Sequence, residues 1–167
     1  METHQYVKLD SVTELRLKRW MKAALAEAER GTENGEHPFG AAIYTPEGEQ
    51  LSVACNTVCS TNNPAAHAEV NAIAAACQAI GEPSLTNHWL VATAEPCPMC
   101  LSTAAIAGIK FIAFGASQAV VNEAGYGGLG VTGRDLARQM SANIHLRSSI
   151  LANDCVSFLL RNRKRNR

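Results

Sequence analysis

Apolar residues recur along this chain first at helical and then at strand spacing, and that alternation sets the expected architecture. Ser11-Val12-Thr13-Glu14 has the spacing of a capping box, and an amphipathic helix is predicted from there to about Arg30. Leu15, Leu17, Met21, Ala24, Leu25 and Ala28 would supply its apolar side. Residues 31–37 read as a polar loop. Short apolar runs at 39–44 and 51–55, separated by Thr45-Pro46-Glu47-Gly48, predict a hairpin. An alanine-rich helix is expected over 64–80, ended by Gly81 and Pro83. A strand at 88–93, a helix over 97–107 stopped at Gly108 and a strand over 110–115 follow. Beyond a glycine-rich loop at 125–130, the pattern gives a short helix near 135–141, a strand near 144–147 and a terminal helix from about Ser149.

Strands alternating with helices predict an α/β fold whose later strands run parallel through helical crossovers. The arrangement expected is a three-layer α/β/α sandwich around a five-stranded mixed sheet. With no repeat and no linker, residues 1–167 read as a single domain, long enough to bury about two thirds of its unfolded surface. A formal net charge of zero gives the body of the protein no broad affinity for nucleic acid. The C-terminal run Arg161-Asn162-Arg163-Lys164-Arg165-Asn166-Arg167 is the exception, and reads either as a phosphate contact or as a solvated helix end. No apolar run is long enough to span a membrane, and no secretory signal is visible in Met1-Glu2-Thr3-His4-Gln5. The expectation is therefore a cytoplasmic protein with reduced thiols, in which Cys55, Cys59, Cys77 and Cys155 act as small buried hydrophobes.

The chemistry is concentrated in His67-Ala68-Glu69 and Pro96-Cys97-Pro98-Met99-Cys100. His67, Cys97 and Cys100 form a set of three zinc ligands, and three protein ligands leave the fourth position of a tetrahedral Zn2+ open for water. Such an ion makes hydroxide available near neutral pH, and Glu69, which coordination does not need, is placed to carry the proton. Cys97 and Cys100 fall three apart on a predicted first turn, so both can reach one ion, and a helix N-terminus favours thiolate. Two competing readings are a structural zinc held by Cys55, Cys59, Cys97 and Cys100, and a Cys97/Cys100 redox pair beside an ordinary core His67. Both leave Glu69 without a role.

The joined pattern H-x-E…P-C-x-x-C resembles the cytidine/deoxycytidylate deaminase superfamily of zinc nucleobase deaminases. That resemblance implies a cytidine deaminase-like fold, Zn2+ on His67, Cys97 and Cys100, Glu69 as catalytic acid–base, and commonly a homodimer. The stretch from Asn56 through Asn63-Pro64-Ala65-Ala66 to Glu69 is similar to two branches, bacterial guanine deaminase and bacterial tRNA adenosine deaminase. In both, an Asn at the position of Asn56 contacts the base, and a neutral amide suits a purine edge. Pro38-Phe39-Gly40-Ala41, Val70-Asn71-Ala72-Ile73 with Cys77, and Glu95-Pro96-Cys97-Pro98-Met99-Cys100-Leu101 are closer to the guanine branch, where the aromatic ring lines the pocket. The substrate-binding residues so implied are Asn56, Phe39, Ala68, Pro96 and Glu123.

One departure concerns the acidic residues that follow the Glu-Ala-Gly-aromatic run in guanine deaminases. Here Glu123-Ala124-Gly125-Tyr126 runs into Gly127-Gly128, so either Glu123 takes that role or the base is another aminopurine, a pterin or a triazine. Phe114-Gly115-Ala116 and Ile150-Leu151-Ala152-Asn153-Asp154-Cys155 resemble the tRNA branch instead. The main expectation is hydrolytic deamination of an aminated purine-like base with release of ammonia. The alternatives are a tRNA adenosine-to-inosine deaminase and, from a different class, a non-catalytic zinc or RNA-binding module.

Overall fold

The structure, a computed structural model, describes residues 12–164. Its first helix, α1 (Glu14–Glu33), buries Leu17, Trp20, Met21, Ala24 and Ala28, a run of i, i+3, i+4, i+7 spacing that faces the sheet. Leu15 is 78% exposed and falls on the opposite side, while Trp20 takes a core place that the apolar pattern had not assigned. Thr13 is the N-cap, its hydroxyl accepting from Arg16 N–H at 3.3 Å. The Ser11 half of the expected capping box lies outside the described residues. The helix also runs past Arg30 to Glu33, shortening the predicted loop.

Two antiparallel strands follow, β1 (Gly40–Tyr44) and β2 (Gln50–Cys55), joined across the predicted turn. Gly40 is required where α1 crosses β1, because a Cβ there would collide with the Ala24 carbonyl. A short helix that the pattern did not predict, α2 (Val58–Thr61), precedes α3 (Ala68–Ile80). The latter starts four residues later than the alanine run suggested, since residues 64–67 turn in extended and bent conformation to bring His67 to the N-cap. Then come β3 (Trp89–Ala94), α4 (Pro98–Ile106), β4 (Phe111–Ala116) and a second unpredicted short helix, α5 (Gln118–Glu123). The chain closes with α6 (Gly133–Ala137), β5 (His145–Arg147) and α7 (Ala152–Arg161).

The five strands lie in the order β2-β1-β3-β4-β5. β1 is antiparallel to both β2 and β3, whereas β4 is parallel to β3 and to β5. Alternate residues of β1, β3 and β4 feed two apolar clusters. One joins α1, α5 and α7 through Ala42, Trp89, Val91 and Ala113, and the other joins α3 and α4 through Ile43, Leu90, Ala92 and Ile112. Three layers result, as the alternation of elements predicts. Cys55 and Cys155 are buried as expected; Cys59 is exposed on the two-sided surface of α2, and Cys77 is half-buried near the end of α3. No described helix is long and apolar enough to cross a membrane.

Candidate active site

Antiparallel pairing puts the start of β1 and the ends of β2 and β3 on one edge of the sheet, where Phe39, Asn56, Ala94 and Glu95 lie together. His67 is the N-cap of α3 (φ −69°, ψ 155°) and Cys97 the N-cap of α4 (φ −66°, ψ 166°). Neither side chain caps its own helix, and both turn inward. Pro98 occupies the first turn of α4, where a missing N–H costs nothing and φ is already set. Cys100 completes the turn and is fully buried.

His67, Cys97 and Cys100 form the one group of three potential metal ligands found among the described residues. His67 Nδ1 is 3.7 Å from Cys97 Sγ and 3.4 Å from Cys100 Sγ, and the two sulfurs are 3.6 Å apart. A tetrahedral zinc with its usual bond lengths needs roughly 3.6 Å between nitrogen and sulfur and roughly 3.8 Å between sulfurs. The donor set and its spacing fit that ion. Neither Cys55 nor Cys59 joins the group, so the four-cysteine site is not formed.

Hydrogen bonding from Cys100, and then from His67, holds the Cys97 thiol down to about 4, and the same bond together with burial pushes Cys100 up. His67 is raised by its contact with the Cys97 sulfur. Glu69 lies in the first turn of α3, only 7% exposed, and burial lifts its carboxyl to about 7. Its Oε2 accepts from Cys100 Sγ at 3.5 Å, yet it stands outside the three-ligand group. A buried carboxyl beside the three-ligand group yet outside it can take up and return a proton.

Above these groups opens a cavity of about 950 Å³ that includes His67, Glu69 and Cys97. Asn56, 2% exposed, lines it and is held firmly: its N–H donates to Phe39 O at 3.0 Å and its Oδ1 accepts from Val58 N–H at 3.0 Å. With Oδ1 engaged, Nδ2 is the end that can meet an acceptor on a ligand. Phe39 lines the cavity and meets the Tyr126 ring edge-on, centroids 5.2 Å apart. Tyr126 also packs on His37 and donates its hydroxyl to Asn162 O at 2.8 Å.

Of the other residues expected at the site, Ala68 and Pro96 are buried in the two ligand-bearing turns and do not line the cavity. Glu123 is exposed at the end of α5 and is not brought to it. His37, Gln118, Asn122, Tyr126, Thr132 and Lys164 do line it and were not singled out in the sequence. Tyr126 carried a signal as the aromatic of the Glu-Ala-Gly-Tyr run, and Lys164 as part of the basic C-terminal run; the others sit in loops or short helices without period. Burial, with Lys164 nearby, keeps His37 below its ordinary range. Asn71 was likewise missed as a support: its Nδ2 donates to Cys55 O and to Thr57 Oγ1, both at 2.9 Å, tying the segment before His67 to α3.

Comparison with known proteins was consistent with this site. The family described as "Cytidine and deoxycytidylate deaminase zinc-binding region" matches residues 15–116, which contain all four site groups. A tRNA-specific adenosine deaminase of Aquifex aeolicus is 41% identical over 97 residues, 58% of this chain, and the chain spans 64% of that relative's length. A guanine deaminase of Bacillus subtilis is 37% identical over 108 residues, covering 64% of this chain and 69% of the relative. The solved guanine deaminase of Nitrosomonas europaea superposes with a TM-score of 0.79 over 87% of this chain and 84% of its own; at 21% identity this bears on the fold.

Proposed function

The chain belongs to the cytidine and deoxycytidylate deaminase family, and from that premise we propose that it is a zinc-dependent hydrolase that deaminates an aminated purine-like base, guanine or a related aminopurine, with release of ammonia. The observation that carries the reading is Glu69: a buried carboxyl beside a three-ligand metal set, yet outside it, at the floor of a cavity walled by Phe39 and Tyr126. The Bacillus subtilis guanine deaminase supports the base, while the Aquifex adenosine deaminase, at 41% identity, supports the alternative weighed below.

His67, Cys97 and Cys100 would hold the zinc, which supplies a Lewis acid able to generate hydroxide from water near pH 7. Glu69 would take one proton from the attacking water and give it to the ring nitrogen, then carry the hydroxyl proton of the adduct to the amino group, which leaves as ammonia. Asn56 orients the ring through Nδ2, and Phe39 with Tyr126 clamps its face and edge while excluding bulk water.

A panel of guanine, 2,6-diaminopurine, a pterin, a triazine, cytosine and a folded tRNA anticodon stem-loop tests this by ammonia release. Release from a free purine without RNA is the expected result. Activity confined to the stem-loop would favour the tRNA adenosine reading, which the Aquifex relative and the basic C-terminal run support. No release from any of them, together with no effect of Glu69→Ala, would leave a non-catalytic module.

A further inference from the structure

Three buried carboxylates occur among the described residues, Glu36, Glu69 and Glu95, and the reaction outlined above leaves Glu95 without a part. Glu95 lines the cavity, is 7% exposed, and stands between the end of β3 and the turn that carries Cys97. Its N–H donates to Ala116 O at 2.8 Å. Its carboxylate is fully engaged with two backbone donors: Oε2 accepts from Gln118 N–H at 3.1 Å and Oε1 from Arg134 N–H at 3.2 Å.

Those two amides lie in the first turns of α5 and α6, and they bracket the outer wall of the cavity. Val121, Asn122, Tyr126, Leu129 and Thr132 all line the cavity and all fall between them. Between the two anchors the chain packs inward through Val121, Ala124 and Tyr126, but the stretch with Gly125, Gly127, Gly128 and Gly130 is largely exposed and carries a high entropic cost of ordering. Charge-assisted hydrogen bonds to one rigid carboxylate offset that cost at both ends of the segment. The approach is also sterically tight, since a Cβ on Gly133 would collide with the Pro96 carbonyl.

We propose that Glu95 is a positioning residue that fixes the outer wall of the base pocket to the metal-bearing turn, and so sets substrate affinity and not the chemical step. The identity of the pocket as a base site rests on the function proposed above. The wall's dependence on Glu95 does not.

Hydrogen exchange of the intact zinc-loaded protein tests the proposal. Glu95→Gln turns one acceptor oxygen into a donor, and amides within 118–134 should then exchange at least about tenfold faster, with α3, α4 and zinc content unchanged. For whichever base is turned over, KM should rise about tenfold while kcat stays within about threefold. Gln118→Pro deletes one of the two donors at a first helical position that tolerates proline. It should reproduce the faster exchange, whereas Gln118→Ala, which keeps the N–H, should not. Unchanged exchange across 118–134 in both Glu95→Gln and Gln118→Pro would overturn the proposal, as would a fall in kcat at constant KM. Exchange and zinc content need no substrate, so the failure of every base to react would sink the deaminase reading and leave this one standing or falling on its own data.

Discussion

Protons at the floor of the cavity are governed by burial and by sulfur. Glu69 is lifted to about 7 chiefly because burial in α3 carries it out of water. Glu69→Gln keeps the shape and removes the base, so turnover should fall by about 10²–10⁴-fold with zinc content unaltered, measured by steady-state ammonia release and elemental analysis. Loss of zinc with the activity would instead make Glu69 a ligand. A second carboxylate, Glu36, works on stability. Burial by itself would raise its pKa, but the Ser60 side chain and the N–H groups of Cys59 and Ser60, the latter two at 2.9 and 3.0 Å, hold it below the ordinary range. Its contribution is therefore present above the unfolded-state pKa of about 4.3 and is lost as pH falls through the lower folded value. Glu36→Gln should flatten the stability curve between about pH 5 and 3, followed by thermal denaturation; an unchanged acid limb would remove Glu36 from that role.

Among the elements, all five strands and the helices α1, α3, α4, α6 and α7 were legible in the sequence, and the short helices α2 and α5 were not. The strands β1, β3 and β4 and the helices α1 and α3 follow from their apolar residues because they pack against one another in the two core clusters. The short helices α2 and α5 bury little or nothing, so no period marks them. What holds α2 is remote: the Glu36 carboxylate accepts from the amides of its first turn across more than twenty residues of sequence. Glu36→Ala should cost about 0.5–2 kcal/mol, the range of a lost N-cap, read from denaturant melts. A cost near zero would mean that water replaces the carboxylate at that exposed helix. The same distinction applies at the site. His67, Glu69, Cys97 and Cys100 were readable because a metal set imposes spacing on the chain, and Asn56 and Phe39 because the flanking motif is local. His37, Asn122 and Lys164 reach the cavity through tertiary packing alone, and Glu123 is turned outward by the phase of α5.

For the molecule as a whole, the sheet and its two helical layers act as a frame for one edge. The elements that meet there come from residues 37 to 164, so binding an ion between α3 and α4 should stabilise the entire fold. With free zinc at 100 times its dissociation constant the linkage is worth about 2.7 kcal/mol. Removing it with a chelator should lower the melting temperature by roughly 5–10 °C in a domain of this size, reversibly on adding zinc back. The most direct test of the account is zinc-edge X-ray absorption on purified protein. The result it predicts is two sulfur donors accompanied by lighter nitrogen and oxygen donors, with binding lost in His67→Ala. Four sulfur donors, or purified protein that takes up no zinc, would contradict it.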